Sequence, residues 1–447
     1  MKYPDPNEIL KIYSEFEREL HLYSVMYEEI GVTDYLKEYT KDGEIDVYTI
    51  IGMKNMMRSK GFEVLLPNPK DKFVNIYRQI EINWDDVPIG QSVYSKNPFV
   101  NTLIDLQYSS LGTQMNKNRS QSEFVVISFA SLIENIFARL ASLVLEKDSS
   151  NKFLNDLEID YKTLSSFDSL KDAKEFLVSK KISNLMFKAF NSWSRDIMKI
   201  VSPQLQDDRE LKVVIETLNE MYARRNIYIH NKGKVNEMYL GLVGGRSEFR
   251  KEKLGSYLRT DQNYLNIIEN NAWRLVTSLV FELVNKGKTD ISEISQSLTE
   301  IGLKLYKNKK FDSGTLLFKQ ATSLIRSEYA EDSFEVYMMN YNEMLGYKLG
   351  ENINAQNKID MFIEFFQNKV SWWDTTEAQY TDFALKSLIL DRKEFLKESI
   401  NFIQETMNKD KKTVANMITW PMFQLIEDFE EWKEFVDTVY DWGLQSN

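Results

Sequence analysis

The chain contains no cysteine, which excludes disulfide bridges and thiolate catalysis. It has only two histidines, His21 and His230, so a histidine-rich metal centre is excluded and only a carboxylate cluster could hold a metal. Glycine (17) and proline (8) are scarce among 447 residues, which favours a mainly helical protein. The first ten residues, MKYPDPNEIL, lack the apolar core of a secretory signal. One run, residues 124–145, is apolar over a membrane-spanning length. It carries Glu134, Asn135 and Arg139 near its middle, where lipid would penalise them, so a buried bundle helix is expected and no membrane partner. A reducing cytoplasm is the compartment this composition suits.

Positive charge is also in deficit. The formal net charge is −11, which argues against broad, nonspecific coating of nucleic acid. The deficit is not uniform. Between residues 221 and 260 nine bases (Arg224, Arg225, Lys232, Lys234, Arg246, Arg250, Lys251, Lys253 and Arg259) stand against three acids, Glu237, Glu248 and Glu252. A local basic patch on an acidic chain suits a phosphate-bearing ligand held at one place, though a solvated loop gives the same composition.

The length allows two or three domains with buried cores. Residues 1–117 read as a mostly helical N-terminal region. Ile9, Leu10, Ile12, Tyr13, Phe16 and Leu20 recur at helical spacing, and a second apolar run spans 47–57. Prolines 67, 69, 88 and 98 punctuate strand-like pieces such as 62–66. His21, on a charged helix face, reads as a solvated or packing residue. Residues 118–287 form a helical middle region, with a capping-box pattern at Ser120 and Glu123 before the long apolar helix. Glu134 on that helix is either a buried carboxylate pairing an arginine or a support for a site residue. Gly244-Gly245 is not a phosphate loop, since no lysine-serine pattern follows it. Residues 288–447 form a third region. The pattern of Ile301-Gly302, Leu305-Tyr306, Phe311, Gly314, Phe318 and Ala321 resembles a tetratricopeptide repeat, with looser echoes at 341–366 and 380–402. Such hairpins stack into an α-solenoid that presents a groove to a protein trigger or inhibitor. Trp372, Trp373, Trp420, Trp432 and Trp442 read as packing residues or partner anchors.

The most informative stretch is 211–236. Leu211, Val214, Ile215, Leu218, Met221 and Tyr222 form an apolar helical stripe that runs into Arg225, Asn226 and His230, and Asn231-Lys232-Gly233 supplies a stop signal. On a continuous helix Arg225 and His230 lie roughly 140° apart. Either the helix breaks between them, near Asn226 where Ile227, Tyr228 and Ile229 favour extended backbone, or a site is built where two copies meet.

The segment Arg225-Asn226-x-x-x-His230-Asn231-x-Gly233-x-Val235-Asn236 resembles the signature of the HEPN superfamily, and the preceding apolar helix and the following Leu258-Arg-Thr-Asp-Gln-Asn-Tyr264-Leu265 agree in order. The resemblance covers residues 120–287. It implies a mainly α chain with a central HEPN-like bundle between the N-terminal region and the helical repeats. It also implies a metal-independent endoribonuclease without cofactor, active as a homodimer through that bundle. His230 would move the proton, Arg225 would clamp the phosphate, and Asn226 would orient the histidine or bind a phosphate oxygen. Arg224, Asn231, Lys232 and Lys234 would meet the RNA substrate, with Glu134 as support. Such modules serve as toxins or abortive-infection effectors against phage. Some HEPN toxins carry a tyrosine two residues after the histidine, where a partner adenylylates them; Lys232 stands there, so that control is not expected. The alternative is a non-catalytic HEPN and repeat protein that binds a protein or a nucleotide.

Overall fold

The protein is mainly α-helical, as seen in a computed structural model that describes residues 3–28, 81–83, 92–94, 96, 98–148, 150, 152–243, 252–258, 260–287, 291–369, 377–407 and 411–444. The second apolar run (47–57), the strand-like piece at 62–66, Trp372 and Trp373 lie outside these residues. Helix α1 spans Pro6–Glu28. Two short strands, β1 (Glu81–Asn83) and β2 (Ser92–Tyr94), pair antiparallel with Ile82 opposite Val93. Helix α2 runs from Pro98 to Lys147, with its proline at the first position, where a missing N–H leaves nothing unsatisfied. It passes through Ser120 without interruption, so the expected capping box at Ser120 and Glu123 does not start a helix, and the boundary drawn at 117/118 falls inside one element.

After a one-turn helix at Tyr161–Leu164 come α3 (Leu170–Met186), α4 (Phe190–Val201), α5 (Arg209–Asn231), α6 (Glu237–Val243) and α7 (Gln262–Lys286). The C-terminal region adds α8 (Ile291–Lys307), α9 (Phe311–Ile325), α10 (Phe334–Leu349), α11 (Gln356–Lys369), α12 (Glu377–Ile389), α13 (Arg392–Met407), α14 (Lys411–Met417) and α15 (Glu430–Leu444).

Backbone contacts divide the chain into two compact units: Met1–His21, Phe129–Ala223 and Asn266–Asn447 in the first, Leu22–Ser128 and Arg224–Leu265 in the second. The first unit has an aromatic core. Tyr13 and Phe16 of α1 meet Trp273 of α7 edge-on, each with ring centres 5.2 Å apart, and the Tyr13 hydroxyl is 2.6 Å from Thr277 Oγ1. Phe190 of α4 stacks on Tyr222 of α5 at 4.2 Å, and the Tyr222 hydroxyl donates to the Ala130 carbonyl at 2.9 Å. These partners explain why the most apolar part of α2 is mostly buried in protein. Arg139, within this apolar part, pairs with Glu15 at 2.6 Å.

The small residues expected where helices touch do that work. A side chain at Gly302 would overlap the Phe318 ring, one at Gly314 the Tyr306 ring, and one at Gly346 both Thr315 Oγ1 and the Tyr306 hydroxyl. Helices α8, α9 and α10 therefore pack backbone against ring. Trp432 is buried and stacks on Phe423 at 4.8 Å, while Trp420 and Trp442 are partly buried against the same cluster.

Candidate functional site

Helix α5 begins where Asp208 Oδ1 accepts the backbone N–H groups of Glu210 and Leu211, at 2.8 and 3.0 Å. All six stripe residues from Leu211 to Tyr222 are buried. The helix does not break near Asn226: it continues through His230 to Asn231. Ile227 and Tyr228 are buried in it, and that burial outweighs a preference for extended backbone worth tenths of a kcal/mol, of order 0.5. The break falls instead at Lys232 (φ 51°) and Gly233 (φ 77°), with the Gly233 N–H donating to the Ile227 carbonyl at 3.1 Å. Of the two arrangements open to the sequence, a local break that brings Arg225 and His230 onto one face is removed.

The turn after the helix is fixed by short bonds. The Asn231 amide donates to the Lys234 carbonyl. Val235 N–H donates to the Ser256 carbonyl at 2.8 Å, Gly255 N–H to the Val235 carbonyl at 2.9 Å, and Leu258 N–H to the Gly233 carbonyl at 2.9 Å. Residues 233–235 and 255–258 thus form a narrow antiparallel clasp at the base of the basic loop, with Lys234 Nζ 5.4 Å above the Tyr257 ring. Asn236 Oδ1 then caps α6 by accepting from Tyr239 N–H at 2.9 Å, and Asp261 Oδ1 caps α7 by accepting from Tyr264 N–H at 2.8 Å. Arg246, Arg250, Lys251 and Arg259 lie outside the described residues.

The two adjacent arginines have different surroundings. Arg224 is only 3% exposed. Its guanidinium lies 4.0 Å from the Tyr264 ring centre and donates to Tyr239 Oη and Thr260 Oγ1, each at 3.4 Å. Grouped with the substrate contacts by sequence, it is placed here as the inward bolt that joins α5 to α6 and to the start of α7. Arg225 is half-buried. Its Nη1 donates to Asn226 Oδ1 at 3.1 Å, while its Nε is buried without a hydrogen-bond partner among the described residues. Asn226 Oδ1 thus serves its neighbour Arg225. His230 and Lys234 are exposed, Lys232 is exposed at the turn, and Asn231 is half-buried. Glu134 is half-buried on α2 and belongs to the first unit, whereas Arg225 and His230 belong to the second.

Sequence reasoning named Tyr228 only for its backbone preference and not as a site residue. It stands four residues after Arg224, on the same helix face, and its hydroxyl is paired with Thr260. Burial pushes its phenol pKa up, against the lowering effect of the Arg224 charge. The i, i+4 spacing from a buried arginine was the available signal.

The chemistry on offer is an exposed imidazole, a half-buried guanidinium with one hydrogen bond to Asn226, and a hydrogen-bonded turn between them and the basic loop. Exposed apolar residues Ile229, Met238, Leu242 and Leu254 belong to the same unit. No family model, no curated protein and no solved structure matches the chain.

Proposed function

We propose that the chain is a metal-independent endoribonuclease of HEPN type, completed by a second copy of itself. The observation that carries this reading is the continuity of α5: with no break before Asn231, Arg225 and His230 of one copy point about 140° apart and do not share a face. Exposed Ile229, Met238, Leu242 and Leu254 supply apolar surface that a twofold partner would cover.

In the proposed reaction His230 of one copy removes the proton from a ribose 2′-hydroxyl. The 2′-oxygen attacks the adjacent phosphorus, the bond from phosphorus to the 5′-oxygen breaks, and protonated His230 of the second copy gives its proton to that leaving oxygen. The products are a 2′,3′-cyclic phosphate and a 5′-hydroxyl. Imidazole suits both roles because its ordinary pKa lies near neutrality. Arg225, steadied by Asn226, places its guanidinium fork on the phosphate and offsets charge that grows in the transition state. Lys232 and Lys234 hold the flanking backbone. A cytoplasmic toxin or abortive-infection effector, with helices α8 to α15 receiving a protein trigger or inhibitor, is the biological setting in this reading.

His230→Ala and Arg225→Ala should each abolish cleavage of purified RNA while the circular dichroism spectrum stays that of the parent. Undiminished cleavage by both variants would reject the assignment. Absence of cleavage by the parent, together with stable capture of one protein on the exposed apolar residues, would favour a non-catalytic binding protein.

A further inference from the structure

A second cluster of charge lies in the first unit, between α1 and the end of α8. It surrounds a cavity of about 410 Å³. Lys11, Arg18 and His21 line it from α1, Lys304 and Lys307 from α8, and Asn308 from just beyond the end of α8. Spacings of seven and three on α1, and of three on α8, put Lys11, Arg18 and His21, and Lys304 and Lys307, along one edge of each helix, while another face of α1 (Ile9, Tyr13, Phe16, Leu20) is buried.

Four cations at one cavity repel each other unless an anion offsets them. Two carboxylates, Glu15 and Glu17, also line the cavity, too few to balance all four cations. Glu15 is held by Arg139 at 2.6 Å. Glu17 is 5% exposed and accepts from Asn308 Nδ2 at 3.4 Å; burial pushes its carboxyl pKa up, against the lowering charges of Lys304, His21 and Arg18, so it offsets only part of the cluster. Among the described residues Lys11, Arg18, Lys304 and Lys307 enter no ion pair within 4.0 Å, so their ammonium and guanidinium groups are available. His21 Nδ1 is buried without a hydrogen-bond partner among the described residues.

From this convergence we propose that the cavity binds a small molecule bearing a phosphate chain, held by Lys11, Arg18, Lys304 and Lys307 and hydrogen-bonded by His21. The volume lies in the range of small-molecule sites, roughly 300–1,000 Å³. A bare carboxylate would leave most of the positive charge uncompensated, whereas a di- or triphosphate matches it. The proposal shares no residue with the Arg225 and His230 reading and holds whether or not the chain cleaves RNA.

Titration calorimetry of the full chain with inorganic pyrophosphate and with ATP tests the proposal, each at low and high salt. Saturable binding of one equivalent, weakened at least tenfold in the Arg18→Gln/Lys304→Gln double variant and weakened again at high salt, is the expected result. Binding of both probes assigns the site to the phosphate chain alone, and binding of ATP only assigns it to a nucleotide. Because these two side chains are exposed, the double variant should fold. His21→Asn gives a second reading, with a smaller loss at unchanged circular dichroism. No saturable binding of either probe by the parent, or equal binding by parent and double variant, would overturn the proposal.

Discussion

Arg225 and His230 stand five residues apart on one unbroken helix, and the turn that ends it comes only at Lys232 and Gly233. This relationship separates the two residues by roughly 140° about the helix axis, which is why the proposed site calls on a second copy.

The first prediction concerns that assembly. If each site needs His230 from both copies, mixing parent with His230→Ala subunits under exchange should reduce cleavage as the square of the parent fraction. An equal mixture would then retain about one quarter of the activity. A fall in simple proportion, to about one half, would mean that each copy works alone.

Arg224 should behave as a structural residue. Its removal deletes a ring contact at 4.0 Å from Tyr264 and two hydrogen bonds within a buried pocket. Arg224→Ala should lose roughly 2 kcal/mol in urea unfolding, and Arg224→Lys should fail to restore it because an ammonium cannot stack flat on the ring. A variant of parental stability that cleaves no RNA would return Arg224 to the substrate.

The glycine contacts in α8 to α10 predict a steric penalty. Gly314→Ala would drive a methyl group into Tyr306, whose ring is fully buried and whose hydroxyl donates to the Asn342 carbonyl at 2.6 Å. A loss of about 1–3 kcal/mol is expected from overpacking, read as a lower unfolding midpoint. Gly443→Ala, where nothing lies within 4 Å, is the matched control and should leave the midpoint unchanged or slightly raised.

Glu343 gives a pH dependence. It is 7% exposed on α10, and burial holds its carboxyl above the ordinary 4.5, against the lowering effects of the Tyr347 hydroxyl and nearby Lys358, Lys319 and Arg326. The folded chain therefore keeps this proton to higher pH than the unfolded chain. Its contribution to stability is fullest below pH 4.5 and declines as pH rises from there through the raised folded value. Glu343→Gln, which can still accept from Tyr347, should be more stable than the parent at pH 7, with the advantage shrinking toward pH 4.5. An advantage constant with pH would show that the carboxylate is not the cause.

Much of α5 could be read from sequence because its information is local. Six apolar residues at helical spacing are all buried, and the Asn231-Lys232-Gly233 stop ends the helix. The paired glycines and rings of α8 and α9 were equally legible, since close helix approach demands small residues opposite large ones. The misreadings have tertiary causes. Ile227 prefers extended backbone in isolation but gains more by being buried on a helix. Ser120 and Glu123 match a capping box, yet α2 already runs from Pro98, so no free helix end exists there to cap. Arg224 and Arg225 are neighbours of identical chemistry, and only the rings and hydroxyls of Tyr239, Thr260 and Tyr264 determine which one is turned inward.

The most direct test is to incubate purified parent and His230→Ala protein with total RNA in chelator and to determine the chemistry of the new ends. Fragments ending in a 2′,3′-cyclic phosphate and a 5′-hydroxyl, made by the parent and absent with His230→Ala, are the predicted result. Fragments with 3′-hydroxyl and 5′-phosphate ends, or the same cyclic-phosphate fragments from the variant, would contradict it.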